Sequence, residues 1–249
     1  MSKISLDGRV AVVTGASRGL GRAMAIELGA AGAKLALVGR DRAQLDETAA
    51  KAGADAAVFV ADITDETQVR ALENAVREQF GHVDILINNA GMNIRKPLVE
   101  YTLDEWNMVL DTNLTSVFLV CRSFIPMMRG RGYGRIINLG SIMSHISLPG
   151  RTAYSASKAA LLGVTRALAQ ELAGDGITVV AISPGPFATE MNQGLINNPE
   201  LNQQFMSNVP LGRWGDPEEI GKLALYLCSE GAGFITGTDI LIDGGWTSR

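Results

Sequence analysis

Short apolar runs alternate with longer amphipathic segments along this chain. The runs Val10–Thr14, Lys34–Val38, Ala57–Val60, Ile85–Asn88, Arg135–Leu139, Thr178–Ile182 and Asp239–Ile242 read as strands. Most lack a period-2 alternation, the pattern of parallel strands covered on both faces. Between them the sequence predicts helices near 20–31, 42–52, 65–80, 102–131, 152–173 and 216–229. Asp65 and Thr102 precede acidic first turns, and Asp216-Pro217-Glu218 places proline at the first helical position. Repeated βα units predict an α/β fold: a single doubly wound parallel sheet of about seven strands with helices on both faces. No composition shift, repeat or low-complexity tract divides residues 1–249, so the chain reads as one domain.

One region breaks the rhythm. Residues 184–215 hold Pro184, Gly185, Pro186, Pro199 and Pro210, with Asn192, Gln193, Asn197 and Asn198 among them. Excursions of this length are uncommon unless they serve a function. This one leaves the carboxyl edge of a central strand and reads as a substrate lid.

Composition narrows the function. Of 249 residues, 47% are apolar, enough for a large core, and the formal net charge is -4. A mildly acidic chain without a basic block lacks the footprint of a nucleic-acid binder. Met1 to Gly8 has no apolar leader, and no run of side chains looks apolar enough to span a bilayer. A cytoplasmic protein without membrane contact is expected. Cys121 and Cys228 read as buried thiols in a reducing compartment.

Val10–Thr14 runs into Gly15-Ala16-Ser17-Arg18-Gly19-Leu20-Gly21, and a helix follows. Glycines let the backbone turn sharply and approach a pyrophosphate, while the helix N-terminus offers unpaired N–H groups. The spacing G-x-x-x-G-x-G differs from the G-x-G-x-x-G fingerprint but occupies the same place, after the first strand. A dinucleotide site is expected. The second strand ends in Gly39-Arg40, where an NAD site commonly has an acidic residue. Arg40, with Arg18 nearby, suits a 2′-phosphate, so NADP(H) is expected over NAD(H), with Asp41 as the contrary sign.

Tyr154 and Lys158 lie at i and i+4 of a predicted helix and share one face. A free tyrosine is a poor acid or base at neutrality, and an ammonium one turn away favours its phenolate. Ser141, after the fifth strand, is placed to hold a substrate oxygen beside the phenol. Asn113, Asn88-Asn89-Ala90-Gly91, Pro184-Gly185 and Thr189 also fall at carboxyl ends of strands or on flanking helices, where such sheets bind ligands. No Cys/His cluster of the zinc type is present, so no metal is expected.

In this ordered combination, from the glycine loop to Asp243-Gly244-Gly245, the whole chain resembles the short-chain dehydrogenase/reductase family. The resemblance implies a Rossmann-type domain in which Tyr154 transfers the proton, Lys158 lowers its pKa and binds the nicotinamide ribose, Ser141 positions the carbonyl, and Asn113 supports a water relay to Lys158. It also implies that Gly15, Ser17, Arg18, Gly19, Leu20 and Gly21 bind the cofactor with Arg40. Asp62 and Ile63 would meet the adenine, and Asn89, Ala90 and Gly91 the adenosine ribose. The stretch with Pro184, Gly185, Phe187 and Thr189 would hold the carboxamide.

Within the family, Arg95-Lys96-Pro97-Leu98, Glu105-Trp106, Thr189-Glu190-Met191-Asn192, Asn198-Pro199-Glu200 and Gly244-Gly245-Trp246-Thr247 look most like gluconate 5-dehydrogenases and related sugar-acid or polyol enzymes. Arg95 would then meet a substrate carboxylate, with Met143 and His145 lining the pocket. The alternatives are a 3-oxoacyl-carrier-protein reductase, in which Arg95 or Arg151 meets an acidic carrier, and a non-catalytic NADP(H) sensor. Apolar excess on the helices at 102–131 and 153–172 points to a partner. The resemblance implies a homotetramer, with Trp246 as a second contact.

Overall fold

The computed structural model describes residues 4–53 and 55–248, without the Met191 side chain. Residues 1–3 of the segment expected to lack a leader lie outside them. Among the described residues one parallel sheet of seven strands has the order β3-β2-β1-β4-β5-β6-β7. The strands are β1 Val10–Thr14, β2 Lys34–Gly39, β3 Ala56–Val60, β4 Ile85–Asn88, β5 Gly134–Leu139, β6 Ile177–Pro184 and β7 Asp239–Ile242. The helices are α1 Gly19–Ala30, α2 Arg42–Ala52, α3 Glu66–Phe80, α4 Leu103–Leu110, α5 Ser116–Met128, α6 Thr152–Leu172, α7 Gln193–Ile196, α8 Pro199–Met206 and α9 Pro217–Cys228.

Alternate residues of each strand meet different apolar layers. Ala11, Val13, Leu35, Leu37 and Ile87 join a core with Met24 and Leu28 of α1 and Ile220 and Ala224 of α9. Val12, Ala36, Val38, Leu86 and Ile136 join another with Val69 of α3, Phe124 of α5 and Leu161 of α6. With both faces covered, the strands have no reason to alternate apolar with polar, which is why their sequences run continuously apolar. Each fully buried large side chain contributes roughly 1.5–3 kcal/mol.

Helix starts follow the caps. Asp65 accepts from Thr67 N and Gln68 N, while Thr102 with Glu105 and Asp216 with Glu219 form capping boxes. The segment Leu103–Met128 runs as one helical stretch, interrupted by a π turn at Asp111–Thr115. By length and composition it could cross a bilayer, where the sequence was read as offering no such run. Half of its most apolar window is buried, with Val117, Val120 and Phe124 in the core.

The excursion after β6 is built from α7, α8 and short turns. Phe205 of α8 stacks on Trp214, with ring centroids 5.5 Å apart, and meets Trp246 edge-on at 4.7 Å. Trp246 is thereby buried within its own chain at 7% exposure, which corrects the expectation that it forms an inter-subunit contact. Leu103, Met108 and Phe118 are the exposed apolar residues of the 103–128 stretch.

Candidate active site

The glycine loop is shaped by what touches it. Gly15 has φ +63°, and a Cβ there would lie 2.8 Å from Ala90 Cα. A side chain at Gly21 would collide with Gly15 O and the Asn89 amide. The loop carbonyls are all taken. Asn89 Nδ2 donates to Thr14 O and Gly15 O at 3.0 Å, Thr48 Oγ1 to Ala16 O at 2.9 Å, and Arg22 Nε to Ser17 O at 3.1 Å. Arg18, the N-cap of α1, is extended and makes no capping bond, and the first turn has no acidic residue. A loop with glycine at positions 15, 19 and 21, running into a helix N-terminus, fits a bound pyrophosphate.

Arg40 follows β2. Its side chain is 80% exposed, with Nη1 3.7 Å from Asp62 Oδ2. Arg18 is exposed and has no ion pair among the described residues. Asp41, the contrary sign, is spent as the N-cap of α2, accepting from Gln44 N at 3.1 Å. Asp62 accepts from Thr64 N and its hydroxyl. Burial pushes the Asp62 carboxyl up, but the Thr64 bonds and Arg40 outweigh it and hold it below its ordinary value. Ile63 buries its side chain in the core, so it does not offer that side chain to an adenine.

The π turn places Asn113. Its Oδ1 accepts from Met92 N at 2.8 Å, and its Nδ2 donates to Met92 O and Ser157 Oγ, both at 2.9 Å. Ser157 Oγ in turn donates to Tyr154 O at 2.7 Å. A Cβ on Gly91 would lie 3.2 Å from Asn113 Oδ1 and 3.5 Å from Lys158 Nζ, so these groups share one small space. Single-turn π bulges frequently occur at functional sites.

Ser141 ends the turn after β5, and its Oγ accepts from Met143 N at 3.1 Å. The Ser141 hydroxyl lies close enough to the Tyr154 phenol to favour its ionised form. Burial pushes the Tyr154 phenol above its ordinary value, against the Ser141 hydroxyl and then the charges of Arg151 and Arg95. Lys158 was expected to set the phenol low. Instead its Nζ lies 5.8 Å from the Tyr154 ring centroid and donates to Leu139 O at 2.5 Å. Burial lowers the ammonium's own pKa to about 8.

The structure therefore brings Asn113, Ser141, Tyr154 and Lys158 together at the carboxyl ends of β4 and β5. Met143 joins them, buried in a cluster with Ile142, Val209 and Trp246 against which Tyr154, Leu148 and Phe205 pack. His145 does not: its Nε2 is 2.5 Å from Asp239 Oδ2, which draws the ring towards β7. Phe187 is 3% exposed and its side chain joins the core, so its ring is not free to meet a carboxamide. Pro184 and Gly185 end β6, and Thr189 crosses the glycine loop, with its Cγ2 3.7 Å from a Cβ placed on Gly19. Asn89 spends its amide on the loop rather than offering it to a ribose. Sequence reasoning missed Arg22, Thr48 and Ser157, which no local motif marks.

Comparison with known proteins adds the lineage. A family model described as enoyl-(acyl carrier protein) reductase matches residues 15–247. A 3-oxoacyl-[acyl-carrier-protein] reductase of Haemophilus influenzae is 37% identical, the match covering 96% of this chain and 98% of that protein. Gluconate 5-dehydrogenase of Gluconobacter oxydans is also 37% identical, over 98% of this chain and 96% of its own. A Beutenbergia cavernae structure with NADP at low occupancy, assigned as an NAD(P)-dependent gluconate 5-dehydrogenase, superposes with a TM-score of 0.91 at 38% identity over 98% of this chain and 99% of its own. The chain belongs to the short-chain dehydrogenase/reductase family, oxidoreductases that act on CH–OH and keto groups.

Proposed function

We propose that this enzyme interconverts the keto and hydroxyl forms of a small sugar acid or polyol, such as 5-ketogluconate and gluconate, with NADP(H) and with Tyr154 as the proton-transferring group. The observation that carries the chemistry is the Tyr154 phenol beside the Ser141 hydroxyl, with the buried Lys158 ammonium 5.8 Å from the ring centroid. In reduction, the neutral phenol of Tyr154 gives its proton to the carbonyl oxygen, and Ser141 Oγ holds that oxygen in line. The phenol's raised pKa suits the acid role at neutral pH. Lys158 stabilises the phenolate as it forms. Asn113 fixes the helix turn that carries Tyr154, through Ser157.

Bound nicotinamide would supply or take up the hydride. Gly15, Ser17, Arg18, Gly19, Leu20 and Gly21 would hold the pyrophosphate, and Arg18 and Arg40 the 2′-phosphate. Asp62, Ala90 and Gly91 would line the adenosine side; Tyr154, Lys158, Pro184, Gly185 and Thr189 would line the nicotinamide side. Residues 184–215 act as the substrate lid in this reading, because they begin across the glycine loop and Phe205 packs on the same buried cluster of Met143 and Trp246 that Tyr154 packs on. Exposed Leu103, Met108 and Phe118 favour a homo-oligomer, read as a tetramer.

The cofactor reading has a direct test. Arg40→Ala should weaken NADPH binding about ten- to hundredfold, the loss of one charge-assisted bond, and scarcely change NADH binding. Binding titrations showing equal losses for both cofactors would remove Arg40 from phosphate recognition.

Substrate choice is tested by assaying gluconate and 5-ketogluconate against acetoacetyl thioesters with both cofactors. Gluconate oxidation with NADP is expected, and Arg95→Ala should raise its KM about tenfold. An enzyme that ignores gluconate and reduces the thioesters would instead be a 3-oxoacyl-carrier-protein reductase, the second reading, which relatives of the same identity support.

A further inference from the structure

The loop that leaves Gly91 meets the start of α6 in a cluster of cations, of which one is neutralised. Lys96 is ion-paired with Glu105. The Arg95 and Arg151 guanidiniums make no ion pair or hydrogen bond with any described residue. Most other arginines pair with carboxylates, among them Arg9 with Asp84, Arg122 with Glu66 and Arg213 with Glu219, whereas Arg18 at the glycine loop does not. Two unpaired guanidiniums next to one another therefore call for an explanation.

The chain path brings them together. A Cβ on Gly150 would lie 3.4 Å from Lys96 N, the nitrogen that joins Arg95 to Lys96. Arg151 follows Gly150 and is the N-cap of α6, three residues before Tyr154. Tyr101 donates its hydroxyl to Ile94 O at 2.5 Å, which fixes the chain one residue before Arg95. Burial, and then the charge of Arg95, holds the Arg151 guanidinium below its usual range, and both arginines act on the Tyr154 phenol. The first turn of α6 has no acidic residue to relieve them. Like charges held together without a counter-ion repel, and a bound anion removes that repulsion. The half-buried Arg151 has less water competing for it than the exposed Arg95, so it grips a small anion more strongly.

We infer that Arg95 and Arg151 form a two-arginine carboxylate seat beside Tyr154, with Arg151 the stronger contact, and that the enzyme selects small oxo- or hydroxy-carboxylic acids through it. This rests on Tyr154 being the proton-transferring group; it does not require that the acid be gluconate. An acidic carrier protein would engage the exposed Arg95 first and leave Arg151 secondary.

The test is a calorimetric titration of malonate, which has no ketone to reduce, into the full-length enzyme saturated with NADP⁺. Malonate should bind and neutral malonamide should not. Arg151→Gln should weaken malonate about a hundredfold and Arg95→Gln about tenfold, the range for charge-assisted contacts, and Arg151→Lys should recover part of the loss. NADP⁺ affinity within about twofold of wild type shows that a variant has kept the fold and its cofactor cleft. Absent malonate binding, equal binding of malonamide, or unchanged malonate affinity in Arg151→Gln overturns the seat. A larger loss in Arg95→Gln than in Arg151→Gln overturns the ranking and favours a carrier-protein contact. A wild type that binds malonate at the pair but does not oxidise gluconate refutes the sugar-acid reading alone.

Discussion

Replacing Tyr154 by phenylalanine is expected to lower kcat about 10²–10⁴-fold, the usual contribution of a positioned acid or base, with NADPH still bound. The substitution keeps the ring that packs beside Met143 and Leu148 and removes only the hydroxyl that meets Ser141. A change in kcat without a matching change in cofactor affinity therefore isolates the proton transfer. Burial raises the phenol's pKa, so the base form is scarce at neutrality and oxidation by the wild type should speed up as pH rises. Stopped-flow turnover above a tenth of the wild-type rate in the phenylalanine variant would remove Tyr154 from the chemistry.

Lys158→Met should lower kcat by about 10²–10³-fold, as removal of one group stabilising developing charge does in other enzymes. It should also change how stability depends on pH. In the folded, cofactor-free protein the ammonium titrates near about 8, against an ordinary 10.5. Between those values the unfolded chain holds more protons, so stability rises with pH across that window; below it, burying the charge is a constant penalty. The difference is on the order of 3 kcal/mol. The methionine variant lacks the titrating group and should lack this rise, although Leu139 O loses its partner. Urea unfolding at pH 7 and pH 10 compares the two. Parallel behaviour of wild type and variant would contradict a buried ammonium.

The sheet was legible because parallel strands write their burial into runs such as Val10–Thr14 and Ile85–Asn88, and every strand fell where those runs stand. Tyr154 and Lys158 were legible because both lie on one helix turn, and local spacing is what a sequence displays. The rest depends on partners far apart in the chain. Nothing near His145 announces Asp239, 94 residues on. Trp246 reads as an exposed C-terminal aromatic until Phe205 covers it. The π turn around Asn113 has no glycine or proline to mark it; it exists because Asn113 bonds Met92 and Ser157. The electrostatics were read least well, since a sequence shows that Lys158 is near Tyr154 but not that Leu139 O holds its ammonium or that the charges of Arg151 and Arg95 act on the phenol.

The carbonyls of Thr14, Gly15, Ala16 and Ser17 are each bonded by a side chain from elsewhere in the fold. A glycine-rich segment of this length would otherwise lose roughly 1–2 kcal/mol of conformational freedom per residue when a ligand ordered it. Asn89, Thr48 and Arg22 have already imposed that order during folding. Cofactor association then starts from a rigid receptor, and the affinity gained from each phosphate contact is not spent on arranging the loop.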